Sequence, residues 1–159
     1  MLRLAAQPGV PPDPLRHPSE TTVFSFRTAN GKTASLCEGP KGAYLVYRFG
    51  TAAKTELQYP AVLDASSWRK FTYSFYLRGG GAANAGMDLN HLSFKNGGAK
   101  YVIYSEYSSE DSKEEVGIEV HANGKTAHIT GKPATVKGSL TDLRDNHKVT
   151  PSDEVSQRD

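Results

Sequence analysis

The stretch Lys70-Phe71-Thr72-Tyr73-Ser74-Phe75-Tyr76-Leu77 decides the fold class. Large apolar side chains recur at every second position from Phe71 to Leu77, and smaller or polar ones mostly fill the positions between them. A period of two places alternate side chains on opposite faces of a β-strand, one buried and one solvated. The stretch therefore predicts a strand of a sheet with one wet face.

The same pattern extends outward on both sides of this strand. Short β-like runs end at Gly, Pro or Asn-Gly signals; they are Thr22–Arg27, Lys32–Glu38, Ala43–Phe49, Lys54–Tyr59, Asp88–Lys95, Lys100–Tyr107, Glu115–His121, Lys125–Gly131 and Val136–Leu143. The only predicted helical turn is Asp64 to Arg69, with Asp64 as its cap. The chain is predicted to be all-β, with about eight to ten strands by this count.

Turn residues predict how the strands are connected. Asn30-Gly31 and Asn123-Gly124 each join two alternating runs, as in type I′ hairpins. Asn96-Gly97-Gly98 predicts a third, slightly longer hairpin. Successive hairpins without crossover helices predict an antiparallel meander that closes into a barrel or splits into a sandwich.

Composition predicts one folded domain between two flexible ends. Five of the nine prolines fall in residues 1 to 19, which predicts a flexible arm. The polar tail from residue 145 to 159 is expected to fray. Residues 20 to 144 then form a single β domain, which at this length needs no disulfide or structural metal.

Charge and cysteine content argue against several classes of protein. A formal charge of +2 is too near balance for a dedicated nucleic-acid binder. The single cysteine, Cys37, allows no internal disulfide, and we interpret it as a buried, inert thiol. No run reaches the length of a membrane span. Met1 to Gln7 is too short for a secretory signal, although it is compatible with the remnant of one.

The glycine-rich run from Arg78 to Gly86 is the least generic feature of the chain. It lacks the sequence of a phosphate-binding loop, so we interpret it as a wide surface loop that can enter a partner's cleft. The second candidate is the stretch from Tyr104 to Glu115, which joins tyrosines to the strongest acidic cluster. The predicted partner-contacting residues are Arg78, Gly79, Gly80, Gly81, Asn84, Tyr104, Glu106, Tyr107, Glu110 and Asp111.

Catalytic and metal sites are weaker candidates. His121 and His128 flank the Asn123-Gly124 turn and could form a two-imidazole metal half-site, but two solvated histidines are the favoured interpretation. His91 beside Asp88 is the one candidate for a hydrolase. No catalytic residue, metal ligand or cofactor is predicted, and the chain is expected not to be an enzyme.

Three stretches carry a family resemblance: Cys37 to Tyr59, Gly79 to Asn84, and Lys100 to Tyr104. Through them the chain resembles small secreted or periplasmic proteins of Gram-negative bacteria, and more distantly periplasmic lysozyme inhibitors and immunity proteins against antibacterial effectors. The inhibitors' Ser-Gly-x-x-Tyr motif and disulfide are not present. The resemblance implies a periplasmic or secreted protein that blocks a basic cell-wall or antibacterial enzyme. A small-ligand-binding barrel and a hydrolase remain as alternatives.

Overall fold

A computed structural model describes residues 12–80 and 86–152 of the chain. The predicted all-β class is confirmed: the strands form two sheets, of five and six strands. The sequence left a barrel and a sandwich open. Both sheets have free edge strands, so the described strands form a sandwich and not a closed barrel.

The first sheet is a meander of four consecutive strands, to which a short strand from later in the chain is added at one edge. Its strands are β1 (Thr21–Arg27), β2 (Thr33–Glu38), β3 (Leu45–Thr51) and β4 (Lys54–Tyr59), all antiparallel to their neighbours. The two-residue strand Lys137–Gly138 returns to pair with β1 at the edge.

The second sheet has longer strands. It contains β5 (Thr72–Arg78), β6 (Met87–Asn96), β7 (Ala99–Ser108), β8 (Lys113–Ala122) and β9 (Lys125–Thr130), in sequence order. The short edge strands are numbered after these: Lys137–Gly138 is β10, and Thr150–Pro151 is β11, which lies parallel to β5. Short 3-10 helices span Pro40–Gly42, Ala65–Lys70, Pro133–Thr135 and Leu140–Leu143.

Aromatic side chains from both sheets meet in the core. The Phe94 ring stacks between Tyr59 and Tyr101, with centroids 4.3 and 4.9 Å away. Tyr47 and Phe71 contact the same ring at 5.4 and 5.5 Å. Because β3 and β4 belong to the first sheet and β6 and β7 to the second, these contacts join the two layers. Alternate side chains of a strand point to the same face, so each of these strands directs an aromatic ring into the space between the sheets.

The turns differ in detail from their predicted types. Asn123 and Gly124 both have positive φ, 54° and 72°, as a type I′ turn requires. At Asn30-Gly31 only Gly31 has a positive φ. This loop is longer than a two-residue turn, since the hydrogen bond that closes it runs from the Thr28 amide to the Lys32 carbonyl. Asn96 instead pairs directly with Ala99, so this predicted longer hairpin is a two-residue turn.

The described parts of the predicted arm and tail contact the sheets. Leu15, within the expected arm, is 4 % exposed, and the Asp13 carboxylate accepts hydrogen bonds from Thr22 and Ser35. Val149, within the expected tail, is 3 % exposed and precedes β11. Single apolar anchors therefore hold the described parts of the arm and the tail, residues 12 to 19 and 145 to 152, against the sheets. The remaining arm and tail residues lie outside the described part of the chain.

Two local predictions have different outcomes. The helical turn is confirmed, since Asp64 caps it by accepting a hydrogen bond from the Ser66 amide at 2.9 Å. The predicted strand Val136–Leu143 is wrong beyond Gly138. There Ser139 accepts a hydrogen bond from the Thr141 amide and caps a 3-10 helix instead. Across residues 12–80 and 86–152, no helix combines the length and apolar character needed to cross a membrane.

Candidate functional site

The two loops singled out in the sequence lie side by side at one end of the second sheet. Arg78, Met87, Ser108 and Lys113 form one register row across β5, β6, β7 and β8. The Ser109 amide donates to the Gly86 carbonyl at 2.9 Å, and the Gly86 amide donates to the Ser109 hydroxyl at 2.6 Å. We call this end of the sheet, residues 75–80, 86–89 and 106–115, the tip.

Large apolar side chains at the tip are exposed. Phe75, Tyr76, Leu77 and Tyr107 have exposed fractions of 43 %, 44 %, 60 % and 43 %. They are four of the five exposed large hydrophobic residues in the described part of the chain; the fifth, Val62, lies elsewhere. Along β5 the side chains are buried or half-buried up to Ser74, and the next three, on both faces of the strand, are exposed. The first sheet therefore does not cover the tip.

A pocket of about 320 Å³ opens on the outer face of the tip. Its apolar wall is formed by Met87, Leu89 and Tyr107. Its charged wall contains Glu106, Asp111, Lys113 and Glu115, and the last two form an exposed ion pair at 2.9 Å. The pocket therefore combines apolar area with three carboxylates and one ammonium group.

Below the pocket, the outer face is held by buried polar contacts. Glu106 Oε2 accepts a hydrogen bond from His91 Nε2 at 2.6 Å, and both side chains are mostly buried. The Tyr104 hydroxyl bonds His128 Nε2 at 2.5 Å. This Tyr104 ring lies over Gly117, where a Cβ atom would collide with the ring. These contacts hold the side chains of the outer face next to the tip in place.

The predicted contact residues divide into exposed and buried groups. Gly79, Gly80, Tyr107, Glu110 and Asp111 are exposed, and Arg78 is half-buried.

The two other described residues of the prediction are not on the surface. Tyr104 is only 2 % exposed, so the prediction that it faces a partner is wrong, because glycine at position 117 lets its ring fold onto the sheet. Glu106 is largely buried against His91 and borders the pocket from below. Gly81 and Asn84 lie outside the described residues.

The histidine candidates do not assemble as catalytic or metal pairs. Asp88 accepts hydrogen bonds from Arg144 and Asn90, both at 2.9 Å, and lies on the opposite face of β6 from His91. The predicted pairing of His91 with Asp88 is therefore wrong, because three positions along a strand reverse the face.

His121 and His128 are diagonal neighbours rather than opposite partners. His121 lies opposite Thr126, and His128 lies opposite Glu119. His121 bonds Glu119 at 3.1 Å while His128 bonds Tyr104, so each ring has its own partner. Within the described ranges, no group of three histidine, cysteine or carboxylate side chains is placed to hold a metal ion.

Between the described strands of the two sheets, the interior is packed with side chains. The stacked rings of Tyr59, Phe94 and Tyr101 occupy the space between the described strands of the two sheets. Because the sheets are open layers pressed together, side chains fill the position of a barrel lumen.

Sequence reasoning missed a second polar assembly on the outer face of the first sheet. Arg48 and Glu20 are buried there as an ion pair at 2.6 Å. A charged residue inside the apolar run Tyr44 to Phe49 was the available signal, because a buried arginine requires a partner. The partner's identity was not visible because Glu20 lies in a distant, proline-rich segment.

Comparisons of the chain with protein families, curated proteins and solved structures find no match. The similarity to lysozyme inhibitors and immunity proteins thus stays a prediction from the residues quoted above.

Proposed function

We propose that this protein is a non-enzymatic binding module that docks on a basic protein through its tip and blocks it. The observation that carries the proposal is that three exposed large apolar side chains, Phe75, Leu77 and Tyr107, share one face at the end of the sheet that bears both candidate loops, with Tyr76 exposed on the other face. The target class is a basic cell-wall-active or antibacterial enzyme. Such a target places the protein in the periplasm or outside the cell.

Apolar side chains at the tip provide the anchoring part of the surface. Exposed apolar clusters with a polar surround are typical of protein-binding sites. Tyr107 and Phe75 supply ring area with few rotatable bonds, so little side-chain entropy is lost when a partner covers them. Leu77, the most exposed of the four, extends the same surface.

Charge at the tip selects a basic partner. The stretch from Glu106 to Glu115 carries five carboxylates and one lysine. Carboxylates on the wall of the 320 Å³ pocket can receive a lysine or arginine side chain whose methylene groups lie against Met87 and Leu89. The same charges accelerate encounter with a basic protein at low salt.

The direct experiment is a binding and inhibition screen against basic muramidases and other basic cell-wall hydrolases. Calorimetry measures affinity, and clearing of a cell-wall suspension measures enzyme activity. We expect the wild-type protein to bind and inhibit at least one of these enzymes. The double variant Leu77→Ser/Tyr107→Ser should weaken binding by about 10- to 100-fold, the usual cost of losing central interface anchors.

Val62→Ser is the matched control, because Val62 is 64 % exposed but lies outside the tip. It should bind like the wild-type protein. Absence of heat and of inhibition with every basic hydrolase would contradict the proposed target class. Equal weakening by Val62→Ser and by the double variant would contradict docking at the tip.

A further inference from the structure

A lysine-lined pocket of about 340 Å³ lies at the end of the second sheet opposite to the tip. Three ammonium groups surround it, and none of its described lining residues is a carboxylate. Hydroxyl side chains from β5, β6 and the segment after β11 complete the polar wall. The lysine pocket is defined by Lys70, Lys95, Lys100, Thr72, Ser74, Ser93 and Ser152, with Tyr59 and Phe94 beside them.

Two of the lysines are placed against each other. Lys95 on β6 is the direct cross-strand partner of Lys100 on β7, and both are exposed. Like charges at directly opposite positions destabilise a sheet. Neither ammonium group forms an ion pair with a carboxylate in residues 12–80 or 86–152. The arrangement therefore has a local electrostatic cost that a bound anion would relieve.

Lys70 adds a third positive charge from the end of the 3-10 helix at Ala65–Lys70. Lys70 also helps to lower the pKa of Asp64, after the larger effect of the hydrogen bonds from Ser66. Lys70 forms no ion pair with a carboxylate in residues 12–80 or 86–152.

Hydroxyl groups are a second feature of the pocket that suits an anion. Ser74 is 5 % exposed and lines the pocket. Thr72 and Ser93 are cross-strand neighbours in the next row toward the lysines. Hydroxyl donors beside ammonium groups match the several acceptor oxygens of a phosphate or sulfate.

We infer that the lysine pocket binds a phosphate or sulfate group of a small molecule. Ammonium groups of the three lysines neutralise the anion, and the hydroxyls of Ser74 and Ser93 donate to its oxygens. Tyr59 on the pocket wall offers a surface to an organic part attached to the anion. The pocket lies about 20 Å along the strands from the tip, at 3.3 Å per residue, so it does not depend on the proposed docking function.

Calorimetry and amide chemical-shift titration of the full chain test this inference, with inorganic phosphate, inorganic sulfate and phenyl phosphate as probes. Sodium chloride at matched ionic strength controls for screening. We expect at least one oxyanion to bind with a dissociation constant of about 0.1–1 mM. Tighter binding of phenyl phosphate than of phosphate identifies an ester as the ligand, and equal binding identifies the free anion.

Charge-neutralising variants locate the site. Lys95→Gln/Lys100→Gln should weaken anion binding at least about tenfold, the equivalent of 1.4 kcal/mol. Lys54→Gln/Lys125→Gln removes the same charge from strands outside the pocket and should stay within about twofold of wild type. Lys100→Glu should abolish binding and raise the melting temperature, because it replaces a like-charge pair by an opposite-charge pair.

Three results would overturn the inference. They are no binding of any oxyanion up to about 10 mM, ten times above the weakest expected dissociation constant, equal losses in both double variants, and a lower melting temperature for Lys100→Glu. Asp153 and Glu154 follow Ser152 in the sequence and could compete with the probe. The variant Asp153→Asn/Glu154→Gln should bind the anion as well as or better than wild type. Binding by this variant alone would also contradict the inference.

Discussion

Arg48 is the most completely buried charged residue of the described chain, and its contacts explain why it is tolerated. Its guanidinium group donates to both Glu20 carboxylate oxygens, at 2.6 and 3.0 Å. It also donates to the Leu15 carbonyl at 3.1 Å and, through Nε, to Gln58 at 2.9 Å. A buried ion pair offsets its desolvation only when its polar atoms are satisfied in this way.

Glu20 has further partners that keep it ionised. Burial raises the pKa of Glu20, but hydrogen bonds from Arg48, Tyr44 and the His17 amide outweigh burial and lower this pKa to about 2. Since the ordinary value is 4.5, the folded protein binds a proton here less readily than the unfolded chain does. Glu20 therefore contributes stability that is present above the unfolded-state pKa.

We predict that this contribution disappears in acid. The free energy of unfolding should fall as the pH drops from 4.5 through about 2, because protons then bind preferentially to unfolded Glu20. Urea titrations at a series of pH values measure this slope. In Glu20→Gln, which cannot titrate, stability at neutral pH should be lower by about 3–5 kcal/mol. The slope over this window should also be shallower, and an unchanged slope would contradict the assignment.

The pKa of the Cys37 thiol is also affected by the N-terminal segment, through Asp13. Burial raises the pKa of Cys37 to about 11, a hydrogen bond with Ser35 opposes this, and the nearby Asp13 carboxylate adds to it. The thiol is 1 % exposed and Asp13 lies 3.6 Å from its sulfur. The interpretation of Cys37 as a buried thiol is thus confirmed, although its neighbours are polar rather than apolar.

At the scale of the element, the hairpins determine which loops reach the tip. The β6–β7 turn consists of two left-handed glycines, Gly97 and Gly98, with φ of 60° and 81°. Because this turn is tight and in register, all ten residues of each strand pair without a bulge. Continuous pairing places Met87 opposite Ser108 at the far end and brings the glycine-rich loop beside the acidic hairpin.

We predict that Gly98→Ala destabilises the protein by about 1 kcal/mol, because an L side chain at positive φ is strained. Thermal unfolding and urea titration measure the change.

Gly79→Ala is the control for this prediction. Gly79 has no unusual φ, and a Cβ atom there would meet nothing within 4 Å. It should leave stability unchanged or slightly higher. Equal destabilisation by the two substitutions would mean that the turn conformation is not the cause.

At the scale of the whole molecule, the segment from Asp13 to Glu20 acts as a strap over the outer face of the first sheet. Leu15 is buried under it, Asp13 bonds residues of β1 and β2, and Glu20 bonds Arg48 of β3. The strap therefore ties three strands together across the face that does not contact the second sheet.

We predict that deletion of residues 1 to 19 lowers the free energy of unfolding by about 2–4 kcal/mol, from the lost burial of Leu15 and the lost hydrogen bonds of Asp13 and His17. Urea denaturation followed by tryptophan fluorescence of Trp68 measures the change. Deletion of residues 1 to 11 removes none of the described contacts and serves as the control. A stable protein after the longer deletion would show that the strap is dispensable.

The second sheet illustrates what the whole molecule adds to its strands. Its outer face carries carboxylates of β7, β8 and the turn between them at the tip, and lysines of β6 and β7 at the opposite end, beside Lys70 of the preceding 3-10 helix. The acidic cluster is visible in the sequence, but the lysine group is not, because Lys95 and Lys100 are separated by a turn and Lys70 lies in another element. Strand register brings Lys95 and Lys100 together, and the end of the Ala65–Lys70 helix adds Lys70.

The order and approximate bounds of β1 to β9, the turn positions and the capped helical turn all follow from the sequence, because alternation and turn chemistry act between residues close in the chain. The nearness of the two candidate loops was decided by the tertiary structure, as were the burial of Tyr104 over Gly117 and the separation of His91 from Asp88. The same holds for the strap fixed by Arg48 and Glu20, since these contacts join residues far apart in sequence. Their partners are selected by sheet register and by the need to satisfy buried polar groups, and a local pattern contains neither.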